Sequence, residues 1–255
     1  MSEAHRVLSW PASISPDFGE SDIHVWQARL DVTLASRANL ERTLSPDERE
    51  RIDRLRAESD RLRATASRGL LRHILAGYAG KPAAELRFTY GPGGKPELQG
   101  IASAPPLHFN TAHSGDLLLV AVGRARSLGV DIERIRPIVR WERVARRAFS
   151  EEERLHIEAL APDERVAAFI TGWTRKEACV KAVGEGVWSA FSRFEVSVTP
   201  GEPAAVRSVD GEPAAGADWS MFHLEPAPGF VGALAVPGTG WRLWTGTLQS
   251  PEAAT

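Results

Sequence analysis

The 255 residues include one cysteine, Cys179, and only four lysines, Lys81, Lys95, Lys176 and Lys181, against 27 arginines. One thiol forms no internal disulfide, builds no cysteine-based zinc site, and fits a reducing cytoplasm. No stretch approaches the roughly 20 apolar residues of a membrane-crossing helix. The N-terminus has no apolar run of signal-peptide length. A net charge of −2 gives no global attraction to nucleic acid or to an anionic membrane. Repeats and low-complexity tracts are also missing. These absences lead us to expect a soluble cytoplasmic protein with no nucleic-acid or membrane partner. With 43% hydrophobic and 25% charged residues, the chain has the composition of an ordinary globular protein. Its length allows one large domain or two of about 125 residues.

The scarcity of lysine draws attention to the stretch that holds two of the four. Gly172-Trp173-Thr174-Arg175-Lys176-Glu177-Ala178-Cys179-Val180-Lys181 lies in a helical pattern expected from Pro162 to about Val183. Proline suits a first helical turn and Gly184 the position past the end. Val166, Phe169, Ile170, Trp173 and Val180 form its apolar stripe. Glu177 and Lys181, four apart, project from one face. An ordinary surface ion pair there contributes about 0.2–0.5 kcal/mol. The alternative is a site that wants a compact ammonium rather than a planar guanidinium. Codon bias alone can produce the lysine-to-arginine ratio, so the ratio does not decide between them.

Elsewhere the pattern is mixed. Residues 1–22 read as an irregular lead-in, and His24 to Leu30 alternates as a strand. Ser45-Pro46-Asp47-Glu48 starts a helix with a capping box. Between Glu41 and Arg72 there are nine arginines and seven acids. That is a solvated face laced with ion pairs or, less commonly, a phosphate-binding edge with Arg51, Arg63 or Arg68 as donors. Leu62, Ala66, Leu70 and Ile74 give that region its core face. The loop Gly91 to Pro96 carries Lys95, within reach of a phosphate, but lacks the spacing of a Walker loop. Leu107 to Ser114 leads into a buried strand, Leu117 to Val122, and Leu128 to Glu133 is another strand. Ser150 and Glu153 form a second capping box. After Gly184, strands are expected at Phe191–Val198, Trp219–Leu224, Val231–Val236 and Trp241–Leu248, with a loop from Pro200 to Gly216.

Asp131 and Glu133 share one strand face, and Glu177 joins them if its helix packs on that strand. Three clustered carboxylates repel unless a cation sits among them, and all-oxygen ligands favour a hard ion such as Mg²⁺. Lys181 would then face the same phosphates, with Lys95 and His113 adding donors from the first half. The combination describes a diphosphate site.

These residues resemble a known family. Gly94-Lys95-Pro96, Phe109-Asn110-Thr111-Ala112-His113-Ser114, Gly129-Val130-Asp131-Ile132-Glu133, Phe149-Ser150 with Glu153, and Trp173 to Lys181 match, in order, the motifs of the 4′-phosphopantetheinyl transferases of the long, Sfp-type class. The resemblance implies an α+β fold of two similar halves related by a pseudo-twofold, here 1–127 and 128–255, with one active site in the cleft between them. It implies transfer of the 4′-phosphopantetheine arm of coenzyme A to a serine of an apo acyl or peptidyl carrier protein, releasing 3′,5′-ADP. Asp131, Glu133 and Glu177 match the metal-binding carboxylates, with Mg²⁺ as the cofactor. Glu177 and Lys181 match the catalytic pair. Arg51, Arg63, Lys95, Pro96, Ala112, His113 and Lys181 match coenzyme A contacts. Ala112 stands where the family often has serine. The length implies a monomer that supplies both halves itself. A Mg²⁺-dependent diphosphate hydrolase and a non-enzymatic coenzyme A-binding protein on the same scaffold are the alternatives.

Overall fold

The computed structural model describes residues 4–9, 18–91, 94–100, 105–124, 126–184 and 191–249. The first half is built on β2 (Asp22–Arg29), α1 (Leu34–Arg42), α2 (Pro46–Asp53), α3 (Glu58–Ala79), the hairpin β3 (Phe88–Tyr90) and β4 (Pro96–Leu98), and β5 (Leu107–Ser114) and β6 (Leu117–Arg124). The second half runs through β7 (Gly129–Arg134), α4 (Trp141–Ala148), α5 (Glu151–Glu158), α6 (Arg165–Val183), β8 (Phe194–Val196), β9 (Val206–Val209), a short α7 (Pro213–Ala217), β10 (Trp219–Leu224), β11 (Phe230–Pro237) and β12 (Arg242–Gln249).

The two halves share one plan. In the first, a strand, a long helix and two strands give the antiparallel order β2-β6-β5. In the second, the same succession gives β7-β11-β10, also antiparallel. The aliphatic face of α3, with Ala66, Leu70 and Ile74, packs with Trp26, Phe109 and Val120 of the first sheet. Phe169, Ile170 and Val180 of α6 pack with Val231, Ala233 and Ala235 of β11. A third cluster lies between the halves, where Val25, Leu119 and Ala121 meet Val130, Ile132 and Leu234. The fold is α+β, as the family resemblance implied.

β5 and β7 meet edge to edge, and side chains stitch the seam. Asn110 Oδ1 accepts the Val130 N–H at 2.9 Å, and Ser114 Oγ accepts the Arg134 N–H at 3.1 Å. The first spares the buried start of β7 the cost of an unmet amide; the second lies at its exposed end. Glu48 closes the expected capping box by accepting the Ser45 N–H at 2.9 Å. Its buried carboxylate also accepts from Arg68 and Arg72, at 2.5 and 2.7 Å, and so ties α2 to α3.

Several expectations are corrected. The lead-in is not wholly irregular, because β1 (Ala4–Ser9) pairs in parallel with β12; residues 10–17 lie outside the described residues. Its partner is more than 230 residues away, so local patterning carried little sign of it. The expected loop Pro200 to Gly216 contains β9 and most of α7; β9 pairs with β8 across a bulge. The run from Phe191 opens with a 3-10 turn, Phe191–Arg193, before β8. α6 starts at Arg165 rather than Pro162, because the Glu164 N–H closes a turn onto Ala161 O. The last strand, β12, lies between β1 and β2. It therefore crosses our division of the chain at 127/128 and completes the first sheet.

Candidate active site

The site begins with a missing side chain. A Cβ on Gly129 would lie 2.0 Å from Ala178 O and 2.4 Å from Ala182 N, so only glycine lets the last turn of α6 settle on the start of β7. That approach sets Glu177 and Lys181 of α6 beside Asp131 of β7. Lys181 Nζ donates to Asp131 Oδ1 at 2.7 Å. Gly184, left-handed at φ 73°, ends the helix one turn later.

Asp131 is 6% exposed. Burial pushes its carboxyl up to about 7; the Lys181 ammonium opposes that shift, and the Glu177 and Glu133 carboxylates add to it. Glu177 is also raised, first by burial, with Lys181 opposing and Glu133 adding. Glu133 thus acts electrostatically on both Asp131 and Glu177. Asp131 Oδ2 is buried and has no hydrogen-bond partner among the described residues. Glu133 Oε2 accepts from the Ser114 hydroxyl at 2.9 Å, which links the acid to the seam between the halves. Among the described residues, no three acidic, histidine or cysteine side chains are gathered tightly enough to hold a metal. Asp131 is turned onto Lys181 instead.

The two neighbouring cations of the same helix point elsewhere. Lys176, 1% exposed, donates to Glu153 at 2.7 Å, to Ala148 O and to Phe191 O. Arg175 donates to Ser197 O and Oγ, at 2.6 and 2.7 Å. One residue along a helix turns the side chain by about 100°, so Lys176 and Glu177 serve different faces. Glu153 accepts from the Ser150 N–H at 2.7 Å, the Val196 N–H at 2.8 Å and Lys176. It is a cap and the partner of a buried ammonium, directed away from Asp131.

The first-half residues expected to contact coenzyme A are engaged in different ways. Arg51 is exposed, pairs with Asp47, and lies 4.4 Å from the centre of the Tyr90 ring. Tyr90 is opposite Pro96 in the hairpin, so Arg51 covers the segment that carries Lys95. Pro92 and Gly93 of that loop lie outside the described residues. Arg63 pairs with Asp116, at the turn between β5 and β6, at 2.9 Å. Arg68 is engaged with Glu48 and the Tyr90 hydroxyl. His113 is exposed. Ala112 puts its methyl in the core between the halves, so this chain offers a ligand only backbone there.

Lys95 departs most from expectation. Its ammonium donates to Ser127 Oγ at 2.9 Å, Leu128 O at 2.8 Å and Lys181 O at 2.8 Å. All three protons are engaged, and burial pulls the group down to about 8. Sequence reasoning missed Ser127, Gly129, Asn110 and Ser114 as structural partners. The one available signal was that Asn110 and Ser114, four apart, share a strand face.

Beside Glu133 a hollow of about 380 Å³ opens between Ile138, Val144, Phe169 and Trp173, with Arg134 and Arg136 also lining it.

A model of the 4′-phosphopantetheinyl transferase superfamily matches residues 127–235, and a model of the N-terminal part of a 4′-phosphopantetheinyl transferase matches residues 33–124. The chain is 37% identical over 221 residues to the 4′-phosphopantetheinyl transferase HetI of Nostoc sp. (strain PCC 7120), covering 87% of this chain and 90% of that protein. The chain belongs to the 4′-phosphopantetheinyl transferase superfamily. It is also 32% identical over 184 residues to the 4′-phosphopantetheinyl transferase psf-1 of Bacillus pumilus, covering 72% of this chain and 76% of that one. Identity to the 4′-phosphopantetheinyl transferase AcpT of Escherichia coli (strain K12) is 39% over 132 residues, 52% of this chain and 63% of the relative. The superfamily match includes β7 and α6, and hence Asp131, Glu133, Glu177 and Lys181. Among the described residues, no helix is long and apolar enough to cross a membrane.

Proposed function

We propose that this chain transfers the 4′-phosphopantetheine arm of coenzyme A to a serine of an apo acyl or peptidyl carrier protein, with Mg²⁺ as cofactor and release of 3′,5′-ADP. The observation that carries the reading is the convergence of Asp131, Glu177 and Lys181 at the junction of β7 and α6, with the unpartnered Asp131 Oδ2 among mutually repelling acids. The donor chemistry, three carboxylates with one buried oxygen unpartnered, suits a hard cation; Asp131, Glu133 and Glu177 would hold it, once their side chains draw closer than they stand here. When bound, Mg²⁺ would neutralise charge on the coenzyme A diphosphate.

The residues of the chain do the rest. Lys181 stabilises charge on the phosphate under attack. The carrier serine oxygen attacks the phosphorus that bears the pantetheine, the bond to the ADP oxygen breaks, and Glu177, directly or through a water, accepts the serine proton. Arg51, Arg63, His113 and the backbone at Pro96 and Ala112 line the coenzyme A side of the cleft. The carrier approaches from the Glu133 side. There the apolar hollow with Arg134 and Arg136 suits an acidic partner with an apolar ridge. One chain supplies both halves, so the working unit is a monomer. The single buried Cys179 fits a cytoplasmic setting.

The test is incubation with coenzyme A, Mg²⁺ and a panel of apo carriers, read by mass spectrometry. A carrier that gains the arm supports the transferase. Carrier-independent cleavage of coenzyme A would make the chain a diphosphate hydrolase, and binding without turnover a non-enzymatic coenzyme A-binding protein.

A further inference from the structure

We propose that Lys95 is a positioning residue, which holds the end of α6 against the start of β7 and so sets Lys181 on Asp131, and that it is not a phosphate contact. The inference rests on the transferase reading for its activity arm only.

Helix C-termini leave carbonyls without intrahelical partners, and a buried end needs donors from elsewhere. Two side chains supply them here. Lys95 Nζ donates to Lys181 O at 2.8 Å, and Ser127 Oγ donates to Ala182 O at 2.7 Å. The same ammonium donates to Ser127 Oγ and to Leu128 O, the residue before β7. One tetrahedral group from the β3–β4 hairpin thus binds both elements that carry the site. The joint is tight because Gly129 brings the backbones of β7 and α6 together at the same level. Two residues further along β7 is Asp131, and its Oδ1 receives Lys181 Nζ.

A direct phosphate role would require Lys95 to release one of three good acceptors from a buried position. That would leave a carbonyl without its donor, a substantial penalty inside a protein. The positioning role needs no rearrangement. It also explains why lysine stands here in a chain that otherwise favours arginine. Three converging acceptors suit a compact ammonium, and a planar fork cannot meet them.

The experiment uses the full chain with Lys95→Met and Ser127→Ala. Coenzyme A affinity is read by calorimetry, transfer by single turnover at saturating coenzyme A and apo carrier, and the end of α6 by amide hydrogen exchange at Ala182, Val183 and Gly184. We expect Lys95→Met to bind coenzyme A within about threefold of wild type and to transfer at least about tenfold more slowly, as displaced catalytic groups do. Exchange at the three amides should quicken. Ser127→Ala removes one hydroxyl and should shift rate and exchange the same way, more weakly; it decides the matter if Lys95→Met does not fold. A loss of coenzyme A affinity as large as the loss of rate overturns the proposal in favour of a phosphate contact. Unchanged rate and exchange overturn it in favour of a merely local brace. If the wild type modifies no carrier, the transferase reading fails on its own, and the exchange data still decide the role of Lys95.

Discussion

Lys181 Nζ lies 2.7 Å from Asp131 Oδ1, while Asp131 Oδ2, buried on the same carboxylate, has no partner. One oxygen is neutralised by the helix and the other meets no donor among the described residues. The carboxyl pKa is raised from its ordinary 3.8 to about 7 by burial, against the pull of Lys181. Between those values the folded protein binds more protons than the unfolded chain, so stability falls as pH rises. The metal-free melting temperature should therefore drop between about pH 4 and pH 7. Asp131→Asn should flatten that drop and be the more stable protein at pH 8. Added Mg²⁺ should raise the wild-type melting temperature above pH 7 by mass action, and that of Asp131→Asn far less. Parallel pH curves for the two proteins would show that Asp131 does not titrate in this range.

Lys181 should not tolerate arginine. Its ammonium bridges a gap set by the Gly129 contact, and a longer planar fork would push the carboxylate aside. Lys181→Arg should fold normally and bind coenzyme A, yet transfer on the order of 10²-fold more slowly. Lys181→Met should be at least as impaired. Single-turnover measurement at saturating coenzyme A checks both, and wild-type speed in Lys181→Arg would remove Lys181 from the phosphates.

Glu153 and Lys176 behave differently. Their side chains are 3% and 1% exposed, and each is fully hydrogen-bonded, so the pair braces α5 against α6. From the sequence, Glu153→Gln is nearly silent if Glu153 is only a cap, and slows transfer if it belongs to the site. The structure supports neither outcome. Glutamine keeps the cap but leaves a buried ammonium without its counter-charge, which typically costs about 3–5 kcal/mol. We expect a large fall in melting temperature, with near-normal transfer per folded molecule at low temperature. A double variant, Glu153→Gln with Lys176→Met, should recover part of the loss. An unchanged melting temperature in Glu153→Gln would contradict the buried pair.

The arginine rim should govern the carrier rather than coenzyme A. Arg136→Glu places a like charge where an acidic partner would approach the hollow beside Glu133. We expect the KM for an acidic carrier to rise about tenfold, with the KM for coenzyme A unchanged and the effect weakened by salt. Equal effects on both substrates would place Arg136 on the coenzyme A side.

Some of this was legible in the chain. A continuous apolar run placed β6, alternation placed β7 and the helical period placed α6, each within a few residues, because an element's burial shows in its own pattern. The acids at 131, 133 and 177 and the lysine at 181 were likewise visible, since spacing alone puts 131 with 133 on one strand face and 177 with 181 on one helix face. β1 was not legible, because its ladder comes from a strand at the other end of the chain. Neither was the division of labour among three of the four basic groups in α6. Arg175, Lys176 and Lys181 look alike in sequence. Only the packing of α6 sends the first to Ser197, the second to Glu153 and the third to Asp131. The sequence determined which residues can share a face. The tertiary structure decided what each face meets, because a hydrogen bond at 2.8 Å depends on where two distant backbones come to rest. Lys95 shows the difference: its glycine-rich loop points to a ligand, and the fold gives its three protons to the protein.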